Sequence, residues 1–89
     1  MMVDERLREK IVLLGIKAME KFDNYYKRAE YIGSLLSKEE TGYWGCHISD
    51  EDVAQEERSK VYWWVYNDNR IIFRIGKCRF TVNQQTATR

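Results

Sequence analysis

Residues 70–83, RIIFRIGKCRFTVN, decide the fold class. Two runs rich in β-branched and aromatic residues, 70–75 and 78–83, flank Gly76-Lys77, and a two-residue loop opening with glycine suits a type II′ hairpin turn. That turn sets Ile75 opposite Cys78, Phe73 opposite Phe80 and Ile71 opposite Val82. One face of the pair is then wholly apolar. The other carries Ile72, Arg74, Arg79 and Thr81, the pattern of an antiparallel sheet packed on one side only.

Working back from the hairpin, a strand over 58–66 precedes the turn Asn67-Asp68-Asn69. A three-residue loop with Asn69 left-handed puts Val61, Trp63 and Val65 on the core face and leaves Tyr62, Trp64 and Tyr66 outside. A two-residue loop at Asp68-Asn69 exchanges the faces, because the side-chain period of a strand is two. The three-residue loop is the reading adopted, since β-branched residues with one Trp make a tidier core than three large rings with polar edges. A first strand covers 43–48. Ser49, Asp50, Glu51 and Asp52 then resemble a helix N-terminus, predicting one or two helical turns through Glu57.

Before Gly42 the period changes. Leu7, Ile11, Leu14, Ala18, Phe22, Tyr25, Ala29, Ile32 and Leu36 recur at steps of three and four, which predicts an amphipathic helix over about 4–37. Asp23 and Asn24 are good cap residues that would interrupt it. The unbroken phase across Phe22 and Tyr25 favours a continuous or merely kinked helix. Such a helix spans about 50 Å against about 23 Å for a seven-residue strand, so part of its stripe overhangs the sheet. Val12, Leu13, Ile16 and Met19 widen the apolar surface there, which points to the N-terminal helix as the contact with a homodimer mate or another protein. The expected architecture is α+β, a long N-terminal helix, kinked or broken, packed on a four-stranded antiparallel meander. It forms a single domain over 1–89, helical in 1–41, sheet in 42–83, with a frayed tail at 84–89.

The 89 residues are 44% hydrophobic and 33% charged, enough apolar material for a core and too little polar bias for a disordered chain. The start, MMVDERLREK, does not read as a secretory signal, and no run approaches about 18 apolar residues. A cytoplasmic location, no membrane association and reduced Cys46 and Cys78 are expected. The formal charge of +1 hides a split: residues 1–57 hold 8 Lys/Arg against 13 Asp/Glu, residues 58–89 hold 7 against 1. Internal neutralisation of the basic sheet and a basic surface for an anionic partner are both consistent with that split.

Catalytic and metal motifs are lacking, so no enzyme, cofactor or metal is expected. Cys46 and His47 are strand neighbours on opposite faces and cannot readily form a catalytic pair. Asp50, Glu51, Asp52, Glu56 and Glu57 lack the glycine and terminal Glu of a calcium loop. Gly76-Lys77 lacks the glycines of a phosphate loop. Tyr31-Ile32-Gly33 resembles one half of the GIY-YIG nuclease motif, but no GIY precedes it and it falls on the helix.

Two surfaces are left as candidates. Tyr62, Trp64 and Tyr66 beside Arg70, Arg74 and Arg79 combine the residue types enriched in protein hot spots. The same types serve single-stranded nucleic acid, whose bases stack on rings and whose phosphates pair with arginine. The acidic run Asp50, Glu51, Asp52, Glu56 and Glu57 is the secondary surface, able to imitate a phosphate backbone. The leading expectation is a non-enzymatic module that binds another protein, with a small phage or mobile-element inhibitor of a host nucleic-acid-processing complex, of the anti-CRISPR kind, as the class guess. Direct binding of single-stranded nucleic acid by the basic aromatic face is the alternative.

Overall fold

The computed structural model describes residues 5–58, 60–67 and 69–85, the side chains of 63–67 excepted. Two helices, α1 (Glu5–Lys21) and α2 (Tyr25–Glu39), are followed by four strands, β1 (Tyr43–Asp50), β2 (Val61–Asn67), β3 (Arg70–Ile75) and β4 (Cys78–Gln85). A short 3-10 turn, Gln55–Glu57, lies between β1 and β2 where the acidic run predicts helical turns. The sheet is antiparallel in the order β1-β4-β3-β2, so β2, β3 and β4 form a meander and β1 lies beyond β4. Residues 84 and 85, expected in a frayed tail, belong to β4, which runs on to Gln85; residues 86–89 lie outside the described residues.

The helical stripe is divided rather than continuous. Asn24 adopts an extended conformation and its side chain accepts the Lys27 N–H, which caps α2 and stops the chain from continuing α1. Arg28, buried in the first turn of α2, donates from Nε to the Phe22 carbonyl at 2.5 Å and so satisfies a group left open where α1 ends. At 17 residues α1 is about 26 Å long, close to the length of the strands it covers. The overhang expected of a single long helix is therefore gone. With it goes the argument for a homodimer through α1: Val12 and Met19 pack against the core and Leu13 is the exposed large apolar residue of that group, at 56%.

Both helices lie on one face of the sheet. Leu7, Ile11, Leu14 and Ala18 of α1 and Ile32 and Leu36 of α2 meet Trp44, Ile48, Ile71, Phe73, Cys78, Phe80 and Val82 in a single buried cluster. Phe73 and Phe80 face each other across β3 and β4 with ring centroids 4.6 Å apart and planes 4° from parallel. The hairpin register matches the one read from residue types, Ile75 with Cys78, Phe73 with Phe80 and Ile71 with Val82. Gly76 has φ +60° and no described non-glycine residue has a positive φ, which leaves the glycine alone to supply the left-handed residue a type II′ turn needs.

The turn between β2 and β3 reaches the expected register by a different device. Asn69 is not left-handed. Asn67 pairs with Arg70, and a register shift between Val65 and Asn67 then restores Val65 to Ile71, Trp63 to Phe73 and Val61 to Ile75. A tight loop plus a bulged residue thus sums to the same offset as a three-residue loop.

The helix hairpin is clasped at its far end. Glu40, just beyond α2, takes Arg6 at 3.1 Å and Lys10 at 2.8 Å from α1. The Lys10 and Arg6 hydrogen bonds hold its carboxyl below the usual carboxylate range. A depressed folded value gives stability that is complete above the unfolded value, roughly 4.3 for glutamate, and is lost as pH falls through the folded value. Glu40→Gln is therefore expected to lower stability at neutral pH and to flatten the acid limb of a stability profile measured by urea unfolding. Gly15 tests the packing of α1 on the sheet, because a Cβ there would meet the Phe73 ring at 2.7 and 2.8 Å. Gly15→Ala is expected to lose about 1–2 kcal/mol, the overpacking cost exceeding the gain in helix propensity. A lower urea midpoint at unchanged slope is the readout.

Candidate functional site

With both helices on one side, the other face of the sheet is built only from side chains that alternate with the core. In rows across the strands these are Ser49, Arg79, Arg74 and Tyr62, then His47, Thr81 and Ile72, then Gly45, Asn83 and Arg70. Sequence reasoning placed Tyr62, Arg74 and Arg79 here, and the structure brings them together. Trp64 pairs with Ile72 through the backbone, while its side chain and that of Tyr66 lie outside the described residues.

Arg74 is the centre of the group. Its guanidinium stacks 4.8 Å from the centroid of the Tyr62 ring, and its side chain is 13% exposed. It reaches Glu51 at 3.3 Å and Glu57 at 3.3 Å. Arg79, directly opposite on β4, lies 3.8 Å from the same Glu51, so one carboxylate bridges two like charges that would otherwise repel across the strands. The Tyr62 hydroxyl, Lys60 and Arg74 each hydrogen-bond Glu57 and hold its carboxyl below the usual range, Tyr62 having the largest effect. Tyr62 itself is 39% exposed, and Arg79 is more open than Arg74. Arg70, at the far end of β3, pairs with Asn83 and Asn67.

The two surfaces read separately from the sequence are thus partly one. Glu51 and Glu57 leave the acidic run to neutralise the arginine face. Asp52 and Glu56 stay exposed, and Asp50 belongs to the opposite side of the molecule, where it accepts the Tyr25 hydroxyl. That hydrogen bond, with one from Cys78, raises the Tyr25 phenol above its ordinary value. Cys78 lies between Tyr25 at 3.4 Å and Arg28 at 3.7 Å, both cysteines are free, and the cluster ties the start of α2 to β4 and the end of β1. Nothing in the sequence spacing pairs residues 25, 28, 50 and 78; only the helix break brings them into contact.

The chemistry available for catalysis is poor. Burial pushes the Cys46 thiol up to about 12, so it is protonated at neutral pH, and His47 stands on the other face of the strand. Among the described residues no group of His, Cys, Asp and Glu is placed to hold a metal ion. No described helix is long and apolar enough to cross a membrane.

A second feature escaped sequence reasoning. A groove of about 450 Å³ runs between α2 and β1, lined by Tyr26, Ala29, Glu30, Gly33, Trp44 and Cys46. Tyr26, 73% exposed, stands at its mouth. The small residues Ala29, Gly33 and Ser37 at four-residue spacing were the available signal, since they let α2 approach β1 closely enough for a Cβ on Gly33 to lie 3.2 Å from the Trp44 carbonyl oxygen.

No family model and no curated protein match the chain. A solved structure does: the dynein light chain-like domain of the calcium-binding protein FhCaBP2 of Fasciola hepatica, in a mercury derivative, with a TM-score of 0.64 at 12% identity. The match covers 94% of this chain and 84% of that one. The fold is dynein light chain-like. At that identity the likeness speaks for the arrangement of two helices on a four-stranded sheet, and within this dynein light chain-like fold the arginine lattice is read from the present residues alone.

The lattice is expected to contribute to stability. Arg74→Ala removes both ion pairs and the ring contact and is expected to cost about 1–2 kcal/mol, discounted for partners that remain partly solvated. Arg74→Lys should recover little of it, because an ammonium cannot bridge two carboxylates while lying flat on a ring. Urea midpoints of the two variants, at low and high salt, are the check.

Proposed function

We propose that the chain is a non-catalytic protein-binding module whose docking surface is the open sheet face around Tyr62, Arg74 and Arg79. The observation that carries this reading is a half-exposed tyrosine ring, on the sheet face away from the helices, beside guanidinium groups held in fixed positions by Glu51 and Glu57. Rigid aromatic and arginine anchors lose little conformational freedom on binding, which is why such pairs dominate interface energetics. The fold supports the reading as well: dynein light chain-like domains bind proteins and often dimerise through the sheet, and they are usually non-catalytic. Arg70 continues the proposed surface along β3; Trp64 and Tyr66, expected on it from the sequence, have side chains outside the described residues. Asp52 and Glu56 form its acidic margin.

Direct binding of single-stranded nucleic acid uses the same residues but needs arginines free for phosphate. Arg74 is already shared by two carboxylates, which weakens that reading. The narrower class, a phage or mobile-element inhibitor, rests on size and charge partition and adds no residue to the surface. The test is comparative capture. A partner retained by the wild-type chain and by Leu13→Ser, which alters the opposite side, is expected to be lost from Tyr62→Ala and Arg79→Glu. Equal retention by all four chains, or tight salt-dependent binding of a labelled oligonucleotide in fluorescence anisotropy, overturns the proposal.

A further inference from the structure

The close ion pairs around the sheet face do not balance. Lys60, Arg74 and Arg79 share the carboxylates of Glu51 and Glu57. Both carboxylates sit nearest to other cations, since Glu51 is 3.3 Å from Arg74 while Glu57 is 3.2 Å from Lys60 and 3.3 Å from Arg74. The surplus positive charge therefore falls on Arg79. Its contact with Glu51, at 3.8 Å, is too long for a hydrogen bond, and its side chain is 41% exposed. The Arg79 Nε is buried with no acceptor among the described residues, which leaves the terminal nitrogens as the donors a ligand can reach.

The neighbours of Arg79 on this face are donors as well. Ser49 lies directly opposite on β1, and Thr81 follows two residues on along β4. Opposed residues of an antiparallel pair bring their Cβ atoms within about 5 Å, so the Ser49 hydroxyl and the Arg79 guanidinium can serve one acceptor group. A guanidinium presents its N–H groups in a planar fork that matches a carboxylate, and an adjacent hydroxyl can take the second oxygen. One surplus cation matches one carboxylate. A run of acidic residues is disfavoured by Asp52 and Glu56, which stay exposed at the margin of the face, and a phosphate dianion asks for more charge than Arg79 supplies.

We propose that Arg79 and Ser49 form a carboxylate subsite, and that its occupant is a single aspartate or glutamate side chain of a partner protein, in a segment whose apolar residue rests against the exposed part of Tyr62. The proposal rests on the sheet face being the docking surface and names the chemistry that this surface selects. Tyr62 lies two strand spacings, about 10 Å, from Arg79, a distance that a few residues of the partner cover. Glu51 stays with Arg74 when the incoming carboxylate takes Arg79, so neither arginine loses its counter-charge.

Two phage-displayed libraries of random dodecamers, identical except for a fixed central Glu in one and Gln in the other, provide the test when selected in parallel on the full chain. The Glu library is expected to enrich, with apolar residues near the fixed position. Capped synthetic peptides from it should weaken roughly five- to twenty-fold when that Glu is replaced by Gln. On Arg79→Gln the same replacement should matter by less than about two-fold, the signature of direct coupling. Ser49→Ala is expected to weaken the Glu peptide roughly two- to three-fold and to leave the Gln peptide unchanged. Should Arg79→Gln lose its fold, the Ser49→Ala comparison decides. Peptides that are lost on Tyr62→Ala but show no preference for Glu, or whose preference survives Arg79→Gln, overturn the subsite and leave the docking surface standing. Binders indifferent to both Tyr62→Ala and Arg79→Gln, or no binder from either library, overturn both. Displacement of the peptides by a single-stranded oligonucleotide, or a dimer in sedimentation velocity that Tyr62→Ala dissociates, also overturns the subsite, because the occupant is then a nucleic acid or a second copy.

Discussion

Both helices pack on the same face of one sheet, and the rest of the molecule follows from that one-sided cover. The helix-side face holds the whole apolar cluster, from Leu7 and Ile11 through Phe73 and Phe80 to Val82. The far face has to be completed without a second layer. It still contains an apolar residue at its centre, Ile72, and yet that residue is 2% exposed. Long stems with charged heads are the means available: an arginine can lay its methylenes over an apolar neighbour while its guanidinium stays at the surface. Holding Arg74 and Arg79 there requires counter-charge, which the connection after β1 supplies through Glu51 and Glu57. Part of the charge split of the sequence is therefore neutralised within the fold on this face.

Much of that was legible beforehand, and the exceptions have definite causes. The hairpin at Gly76 was readable because only one offset puts Phe73, Phe80, Ile71 and Val82 together, and burial penalises every other register. The backbone register of β2 was readable for the same reason, although the local device was not and Val61, expected on the core face, is 42% exposed. Asn67, Asp68 and Asn69 tolerate several turn types, so hydrophobic register outweighed turn chemistry and the bulge absorbed the difference. Between a kinked and a broken helix, both allowed by the sequence, the phase could not decide, because phase carries no information about continuity. A two-helix hairpin that packs both arms on one sheet keeps its apolar stripes in phase by necessity, and the cap residue Asn24 was the better signal.

The candidate site was legible in its membership and not in its pairing. Alternation along β2, β3 and β4 put Tyr62, Arg74 and Arg79 on one face. Nothing local says that Glu51 and Glu57 fold back over them, because those contacts depend on the path of a connection with no periodicity of its own. The Tyr25, Arg28, Asp50 and Cys78 cluster is the same case on the opposite side. Its members are spread across three elements, and each alone has an ordinary local explanation, a helix start, a surface charge, a strand end or a buried thiol.

The same reasoning bears on how the arginine face is tuned. A guanidinium already held by two carboxylates offers a partner little net charge and a fixed geometry, so recognition on the proposed docking surface is expected to work by shape and by exchange of one carboxylate for another. Arg79, at 3.8 Å from Glu51, is held less tightly than Arg74 at 3.3 Å from each of its partners. An incoming acidic side chain therefore meets least competition at Arg79, and the Tyr62 ring fixed beneath Arg74 sets the far limit of the contact. Phosphate backbones, which gain most from many unpaired cations, draw little advantage from such a surface. A protein segment that presents one carboxylate beside an apolar side chain fits the proposed surface better, since it can pair with the looser arginine without breaking the Arg74 ion pairs.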